Sequence, residues 1–588
     1  MDLEYEEIVS KSNAPTLVLA GPGAGKTYLL ADRVTCLLAD GADKTRMTVL
    51  AFGKDAAQHM ISELVNQEGA FRLTFPTLPA IQTMHSLGFE IVNEKPRDVG
   101  LRKTELLVLD DEAVKSLLYR DAGLLSGFSN VESKEAMECK ARGDCREDTA
   151  RPACAVCREY WKIMSKCNRL DFDDQIQFAC RILEKNPDLL ARYQAQCTYL
   201  LVDEYQDINA AQFRMIQLLS ANSREGLFVV GDDAQSIYSF RGASPEFILR
   251  FDTDFPGAVK PPLLHNRRCH ADIIEAANRI LIEYYPEWSG PFELQFHSPR
   301  SGAPEVWQLP SDRGEAKMVA RLARDCIDRK KSLLVLAPKR DFFRLISAEL
   351  RSWGVAHECP ASLLPRNTEL RLHSARLFLR WIEHPEDNFA TRLVVEELIN
   401  RGAAKVPGAG KGQGCSEETI QRRIEEERRI AGLWNSVDRN RSLYEVIGGH
   451  DEGGTIDKIK ISLARLLEDF ASSGSENQSN FMSSLAITMG SWIKPKNFAR
   501  DICNAMSVLD PPSVAGDGFA QLMTMKKAKG LQADVVIVVG LEDDMMPNPR
   551  SDLAEEARLF YVSMTRAREK LFLFQARGSG LHSWCCLM

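Results

Sequence analysis

Short runs of leucine and β-branched residues recur along this chain. Each ends in glycine or acidic residues, and the first is followed by a stretch whose apolar positions return every three or four residues. "TLVLA" from Thr16 reads as a buried strand and "YLLADRVTCLLA" from Tyr28 as an amphipathic helix. "YLLVDEYQD" from Tyr199 and "GLFVVGD" from Gly226 repeat the strand pattern. Apolar runs without polar alternation suit strands covered on both faces, as in a parallel sheet. Strand and helix patterns alternate from Thr16 to about Phe251, interrupted from about Leu87 to Leu170 by a helical, cysteine-bearing stretch. A second series opens with "SLLVLAP" from Ser332 and resumes at "DVVIVVGL" and "KLFLFQ". Between them, from about His373 to Ala515, the chain is helical and polar, with the glycine-rich linker "PGAGKGQGCS" from Pro407 inside it. The predicted fold class is α/β with mostly parallel sheets, each sheet interrupted by a mainly helical insertion.

Length and composition narrow the class. At 588 residues the chain exceeds a single core and suits three or four domains, and 44% apolar with 27% charged residues is the balance of a globular protein. No apolar run is long enough to span a bilayer, and "MDLEYEEIVS" is acidic where a signal peptide would be basic. The expected location is the cytoplasm and its nucleoid, or the nucleus in a eukaryote. Fifteen cysteines, an odd number spread along a large chain, are not a secreted disulfide framework. A net charge of −8 argues weakly against nucleic acid, because an average over several domains can hide a basic channel.

Candidate chemistry starts at the first strand-to-helix junction. Ala20-Gly21-Pro22-Gly23-Ala24-Gly25-Lys26-Thr27 fits the phosphate-loop pattern with Ala in place of its first Gly. Gly21, Gly23 and Gly25 let backbone N–H groups, that of Ala24 included, turn toward phosphate oxygens. Lys26 reaches the β and γ phosphates, and the Thr27 hydroxyl can ligate Mg²⁺. The second glycine stretch lacks a preceding strand and a Ser or Thr after Lys411, so it is read only as a linker. Asp203 and Glu204 follow a buried strand directly, at the sheet edge where α/β folds bind ligands. Asp203 would hold Mg²⁺, and Glu204 would serve as general base for the attacking water. After the next strand, Gln235 is placed to sense the γ-phosphate. Tyr238, Phe240 and Arg241 suit a stacking platform for unpaired bases, although aromatics in such a run also suit a core.

The blocks "AGPGAGKT", "LLVDEYQD", "VVGDDAQSIYSFRGA", "LMTMKKAKGLQADVVIVVGLEDDMMP" and "RLFYVSMTRAREKL" resemble superfamily 1 DNA helicases of the UvrD/Rep (PcrA) type, in the family's order over nearly the whole chain. The resemblance implies two RecA-like domains with ATP between them and single-stranded DNA across their tops, stepping generally 3′ to 5′. It places the first RecA-like domain at 1–86 and 171–259 and its insertion at 87–170. The second would occupy 260–372 and 516–588, with its insertion at 373–515. Arg268 in "LLHNRRCH" and Arg566 in "SMTRA" would be arginine fingers acting across the closed cleft. Phe52 and Lys54, Thr83 and His85, and Thr524 would lie along the DNA with Tyr238, Phe240 and Arg241, Lys54 binding phosphate without reading sequence. Asp173 and Asp174 would stand near the boundary of the first insertion. The implied partners are single-stranded and forked DNA and proteins of repair, recombination or phage defence, with no membrane. A metabolic P-loop kinase does not fit the second arginine-bearing half, and no stretch after "TRAREKLFLF" suits a nuclease domain.

Departures from the family cluster around the nucleotide base. Tyr5 stands where the family has an adenine-reading Gln, Arg267 where it has a stacking Tyr, and Gln532, after Gly530, where it has a ribose-binding Glu. Tyr28 or the planar guanidinium of Arg267 could restore a stacking surface. The expectation is ATP with reduced discrimination against other purine triphosphates. Lys526 replaces the family's usual His, which points to altered coupling and keeps open a DNA-dependent ATPase subunit with little unwinding of its own. Cys139, Cys145, Cys154 and Cys157, with Cys167 nearby, form a cluster that could hold structural Zn²⁺ or an iron–sulfur cluster, or remain unliganded. The last four residues, Cys585-Cys586-Leu587-Met588, match a prenylation box by chance.

Overall fold

Leu17 and Val18 are both fully buried, and so are Val49 and Leu50, Leu200 and Leu201, and Val229 and Val230. Neighbouring residues of a strand face opposite ways, so this pattern requires cover on both sides of a sheet. In the computed structural model the six strands run in the spatial order Ala80–Thr83, Met47–Ala51, Tyr199–Val202, Leu227–Gly231, Thr16–Ala20 and Pro262–Leu263. All their pairings are parallel. Val18, Val49, Leu201 and Val230 pack with Leu29, Leu30 and Val34 of the helix Lys26–Ala39. Leu17, Leu50, Leu200 and Val229 form the opposite core with the helices Met84–Glu94, Phe172–Lys185 and Ala210–Ser220. The structure describes residues 14–66, 78–103, 106–143, 150–239, 242–263, 265–288, 295–296, 302–358, 387–393, 396, 427–428, 430–438, 442–443, 445, 520–542, 545–576 and 583–587.

A second six-stranded parallel sheet has the spatial order Glu305–Gln308, Ala567–Gln575, Ala533–Val538, Leu333–Ala337, Ala520–Thr524 and His357–Glu358. Leu334, Leu336, Val536 and Val538 face the helices Ala271–Tyr284 and Leu553–Met564. Leu333, Val335, Val535 and Ile537 face Asp312–Asp328 and Phe343–Ser352. Ala234 and Ile237, which follow the first sheet's strand Leu227–Gly231, are buried in the core of the second. That loop therefore joins the two halves. Cys585 is buried beside Trp584 in the same core.

The stretch after Leu87 is helical, as expected, but also carries a short parallel ladder of Leu107–Leu109 on Arg169–Asp171. Its helices Glu112–Ser126, Asn130–Arg142 and Pro152–Lys166 bury Leu117, Leu118, Tyr119, Val156 and Tyr160. Phe389, Leu393, Trp434, Val437 and Leu443, from the second helical region, complete that same core. Asp173 and Asp174, expected near this boundary, belong to an ion network. Lys115 Nζ lies 2.5 Å from Asp173, and Lys140 Nζ lies 2.6 Å from Asp174 and 3.1 Å from Asp171. Tyr160 donates its hydroxyl to Asp171 at 2.9 Å. Burial and the charge of Asp171 push Asp174 up to about 7, whereas Lys140 and Lys115 overcome burial and pull Asp171 below the usual carboxylate range.

The metal reading of the cysteines gains no support from the described residues. Cys154 and Cys157 sit one turn apart on the helix Pro152–Lys166. Cys139 and Cys154 are buried, and the Cys157 thiol donates to the Ala136 carbonyl at 3.5 Å. Cys167 accepts from Asn388 Nδ2 at 3.3 Å, and burial raises its thiol to about 11. Among the described residues no three His, Cys, Asp or Glu side chains gather into a metal-holding group. Cys145 lies outside the described residues, as do Tyr5, Phe240, Arg241 and the linker around Lys411.

Candidate functional site

The glycines of the phosphate loop are required at two points. Gly25 caps the helix Lys26–Ala39 at φ 88°, and Gly23 turns at φ 71°, both in the left-handed region. A Cβ on Gly23 would lie 2.5 Å from the Arg268 Cβ. The loop is that close to the crossover 266–268, which leads from the first sheet into the helix Ala271–Tyr284. Arg267 N donates to Gly23 O at 3.0 Å, and the Asn266 side chain donates to Pro22 O. Ala24 N bonds Gly21 O at 3.3 Å. Lys26 Nζ donates to Ala20 O at 3.0 Å.

Three cations share this space. Arg268 reaches the Thr565 carbonyl with Nη1 at 3.4 Å, and its buried Nε has no hydrogen-bond partner. Arg566 is 1% exposed; it donates Nε to Val562 O at 2.8 Å and Nη2 to Thr565 Oγ1 at 3.2 Å. Burial lowers the pKa of Lys26, of Arg268 and of Arg566, the last to about 9, with the neighbouring Arg268 charge adding to the fall at Lys26 and Arg566. An anion entering among these buried cations would favour their charged forms.

The acids stand on the first sheet. Asp203 follows the strand Tyr199–Val202, and Glu204 adopts φ 51°, a conformation costing a non-glycine residue about 1–2 kcal/mol. Asp203 Oδ1 accepts the Glu204 N–H at 2.9 Å. Gln206 donates its side-chain amide to Glu204. Burial and the Glu204 charge push Asp203 up to about 7, while Lys529 and Lys26 outweigh burial and hold Glu204 below its ordinary value. Gln235 is buried and donates Nε2 to Asp232 Oδ2 at 2.6 Å; burial raises Asp232 to about 6 against the pull of Lys26.

Lys529 was not singled out by sequence reasoning. From the second sheet its Nζ lies 3.7 Å from Glu204, forms an ion pair with Asp207 and donates to the Gln235 carbonyl at 2.6 Å. It also stands 5.2 Å from the Tyr238 ring. The only signal was its place in "AKGLQ", between Lys526 and Gln532, and nothing in that string marks one lysine as buried. Asp207, Asp232 and Arg558 were missed for the same reason.

The strand-binding candidates fall into two groups. Phe52 and Tyr238 stack with ring centroids 5.5 Å apart and planes at 15°. Lys54 is exposed at the start of the helix Lys54–Asn66, and Thr524 ends a strand of the second sheet. Thr83 caps the helix Met84–Glu94, accepting from Ser86 N at 3.1 Å, and His85 meets Phe172 edge-on at 5.4 Å. Tyr28 is 44% exposed and Arg267 and Gln532 are exposed, with Gly530 at φ 86° in the turn before Gln532.

Two family descriptions match the chain: the UvrD/REP helicase N-terminal domain over residues 1–256 and the UvrD-like helicase C-terminal domain over 437–578. Proteins named ATP-dependent DNA helicase PcrA are similar over 98% of the chain. That of Leuconostoc citreum is 27% identical, with 82% of its own length covered. That of Staphylococcus epidermidis is 26% identical, with 83% covered. Two parallel sheets, a phosphate loop on the first and matches at both ends of the chain lead to one assignment: this protein belongs to the UvrD/Rep helicase family.

Proposed function

We propose that this chain is an ATP-dependent DNA helicase that hydrolyses ATP between its two sheets, moves 3′ to 5′ on single-stranded DNA and separates duplex in repair, recombination or replication. The observation that carries this reading is the meeting of Lys26 from one half with Arg268 and Arg566 from the crossover and the other half, around a buried guanidinium Nε that lacks a partner. A polyphosphate would satisfy all three. The backbone of Gly21, Gly23, Ala24 and Gly25 would cradle its oxygens. Thr27 and Asp203 would hold Mg²⁺, and two protein oxygens suit an ion that keeps several waters and takes the rest from phosphate. Bound there, Mg²⁺ supplies charge neutralisation on the phosphates. Glu204 would accept the proton of the attacking water, Gln235 would report the γ-phosphate, and Arg268 and Arg566 would stabilise charge that grows in the transition state.

DNA would cross the tops of both halves, with a base resting against the Phe52 and Tyr238 rings and Lys54 on the backbone. The two halves are assigned to 1–86 with 171–259 and to 260–372 with 516–588. Tyr28 and Arg267 flank the mouth of the loop and would stack on the base without reading its edge, so other purine triphosphates should support hydrolysis. The test is ATP hydrolysis stimulated by single strands and abolished in Lys26→Ala and Glu204→Gln, with directional unwinding of tailed duplexes. The replacements at Lys526 and Gln532 favour a second reading, a DNA-dependent ATPase subunit. Stimulated hydrolysis without strand separation by the isolated chain would select it.

A further inference from the structure

The helix Leu553–Met564 touches both proposed sites. Its C-terminal end delivers Thr565 and Arg566 to the cation cluster. At its first turn Glu555 accepts a hydrogen bond from the Ser239 hydroxyl. One turn later the buried Arg558 donates Nε to the Ser236 carbonyl at 2.8 Å. Residues 555 and 558 share a helix face, and they hold loop positions that are also three apart. Between those positions lies Tyr238, stacked on Phe52 and approached by Lys529. The helix has 12 residues. At 1.5 Å per residue it is a rod about 18 Å long. Phe560, Val562 and Met564, buried in the second core, fix that rod to its own half.

Arg558 takes this loop by the Ser236 carbonyl and lays its guanidinium over the Tyr285 ring, 4.7 Å from its centroid, so it holds the loop without choosing where Tyr238 stands. Glu555 grips the side chain next to Tyr238. Its carboxylate is 14% exposed, and the nearby Lys526 Nζ, at 3.8 Å on a half-buried side chain, is too far to hydrogen-bond it. We propose that Glu555 is a positioning residue: through Ser239 it keeps the Tyr238 ring in register with Arg566 at the other end of one helix. Strand occupancy at the platform is thereby felt at the phosphate site. This rests on the reading of Phe52 and Tyr238 as the platform for DNA.

The experiment is ATP hydrolysis measured against oligothymidylate concentration for the full chain. The variants are Ser239→Ala, Glu555→Ala, both together, Glu555→Gln and Phe52→Ala. Loss of a hydrogen bond to a carboxylate should raise the DNA concentration for half-maximal stimulation about tenfold in each single alanine variant. The double variant should be no worse than either single one, because both remove the same contact. Glu555→Gln, which still offers Ser239 an acceptor, should recover most of the affinity. Hydrolysis without DNA by the Ser239 and Glu555 variants should stay at the parental rate, which also reports their correct folding. DNA dependence unchanged in Glu555→Ala, or losses that add in the double variant, overturns the proposal. If Phe52→Ala leaves DNA dependence unchanged, the platform reading fails and takes this proposal with it, an outcome distinct from Glu555 alone being silent.

Discussion

Asp121 ties the two helical regions together outside the cation cluster, and its removal gives a prediction with a definite size. It lies on the helix Glu112–Ser126, fully buried, and accepts Arg392 Nε and Nη2 at 2.7 Å each and Trp434 Nε1 at 2.9 Å. Arg392 is equally buried, and its other contact is Glu396 at 3.3 Å from Nη1. Asp121→Ala would strand a guanidinium and an indole N–H in the shared core of both helical regions. Breaking a buried ion pair from one side costs about 3–5 kcal/mol, and the orphaned indole cannot add fully to that figure. A loss of about 4 kcal/mol is a large part of the stability of an ordinary domain and corresponds to about a thousandfold change in an opening equilibrium. Hydrogen exchange read by mass spectrometry suits a multidomain chain better than a single melting temperature. Peptides covering 112–126, 152–166, 387–393 and 430–437 should lose protection together, by about a thousandfold, while Thr16–Ala20 and Leu333–Ala337 keep theirs. Asp121→Leu with Arg392→Met should restore most of it, since replacing both partners removes the stranded charge. Fast exchange of 387–393 and 430–437 in the parental chain, or no response there to Asp121→Ala, would refute the shared core.

Gly23→Ala should reduce kcat of stimulated hydrolysis by roughly a hundredfold or more, since a Cβ would collide with Arg268 where effects on transition-state charge run to 10²–10³; steady-state kinetics checks it, and parental kcat would contradict it. Lys529→Met leaves Asp207 and Glu204 without their shared cation and should lower kcat about tenfold while raising the pKa of both acids, read from the pH–rate profile moving to higher pH. Asp203 has a raised pKa when folded, so it favours the folded state while protonated and disfavours it once ionised above about 7. Asp203→Asn should therefore raise the melting temperature of the nucleotide-free protein at pH ~8 more than at pH ~5; a larger gain at the acid side would contradict the sign. GTP or dATP should sustain at least about a tenth of the ATP rate if the base is held by stacking alone.

What could be read from the chain followed from how far each signal reaches. The strands at Thr16, Tyr199, Leu227 and Leu333 announce themselves locally, because burial on both faces forces an apolar run. The glycine spacing of the loop is local too. The union of the helical regions was not legible: Asp121 and Arg392 are 271 positions apart, and neither helix looks incomplete by itself. Trp434 would pass for a core residue of its own segment, yet it is buried against Asp121. The CxxC at Cys154 lies on a helix, which spacing alone cannot tell from a turn, although Pro152 at the first helical position favoured the helix. Lys529 failed for an electrostatic reason, since burial with Asp207 is a property of two sheets meeting.

That meeting of sheets also explains why hydrolysis should depend on closure. On the acid side, burial raises Asp203 and Asp207 to about 7 and Asp232 to about 6, so each resists carrying its charge. On the other side, burial lowers Lys26, Arg268 and Arg566. Both signs of charge are thus disfavoured at these six groups, whereas Lys529 is held charged by Asp207 and Glu204, and Glu204 is held ionised by Lys529 and Lys26. Closing the cleft without ligand costs desolvation on each side. A polyphosphate carries the charge that the cations lack, so the closed arrangement becomes favourable when it enters and unfavourable again when the terminal phosphate leaves. The stepping motion then needs no separate spring. On the proposed reading, the same desolvation that depresses the arginines would favour reopening after each turnover, and substituting Arg566 with Gln should leave the nucleotide-free cleft more closed and the motor slower.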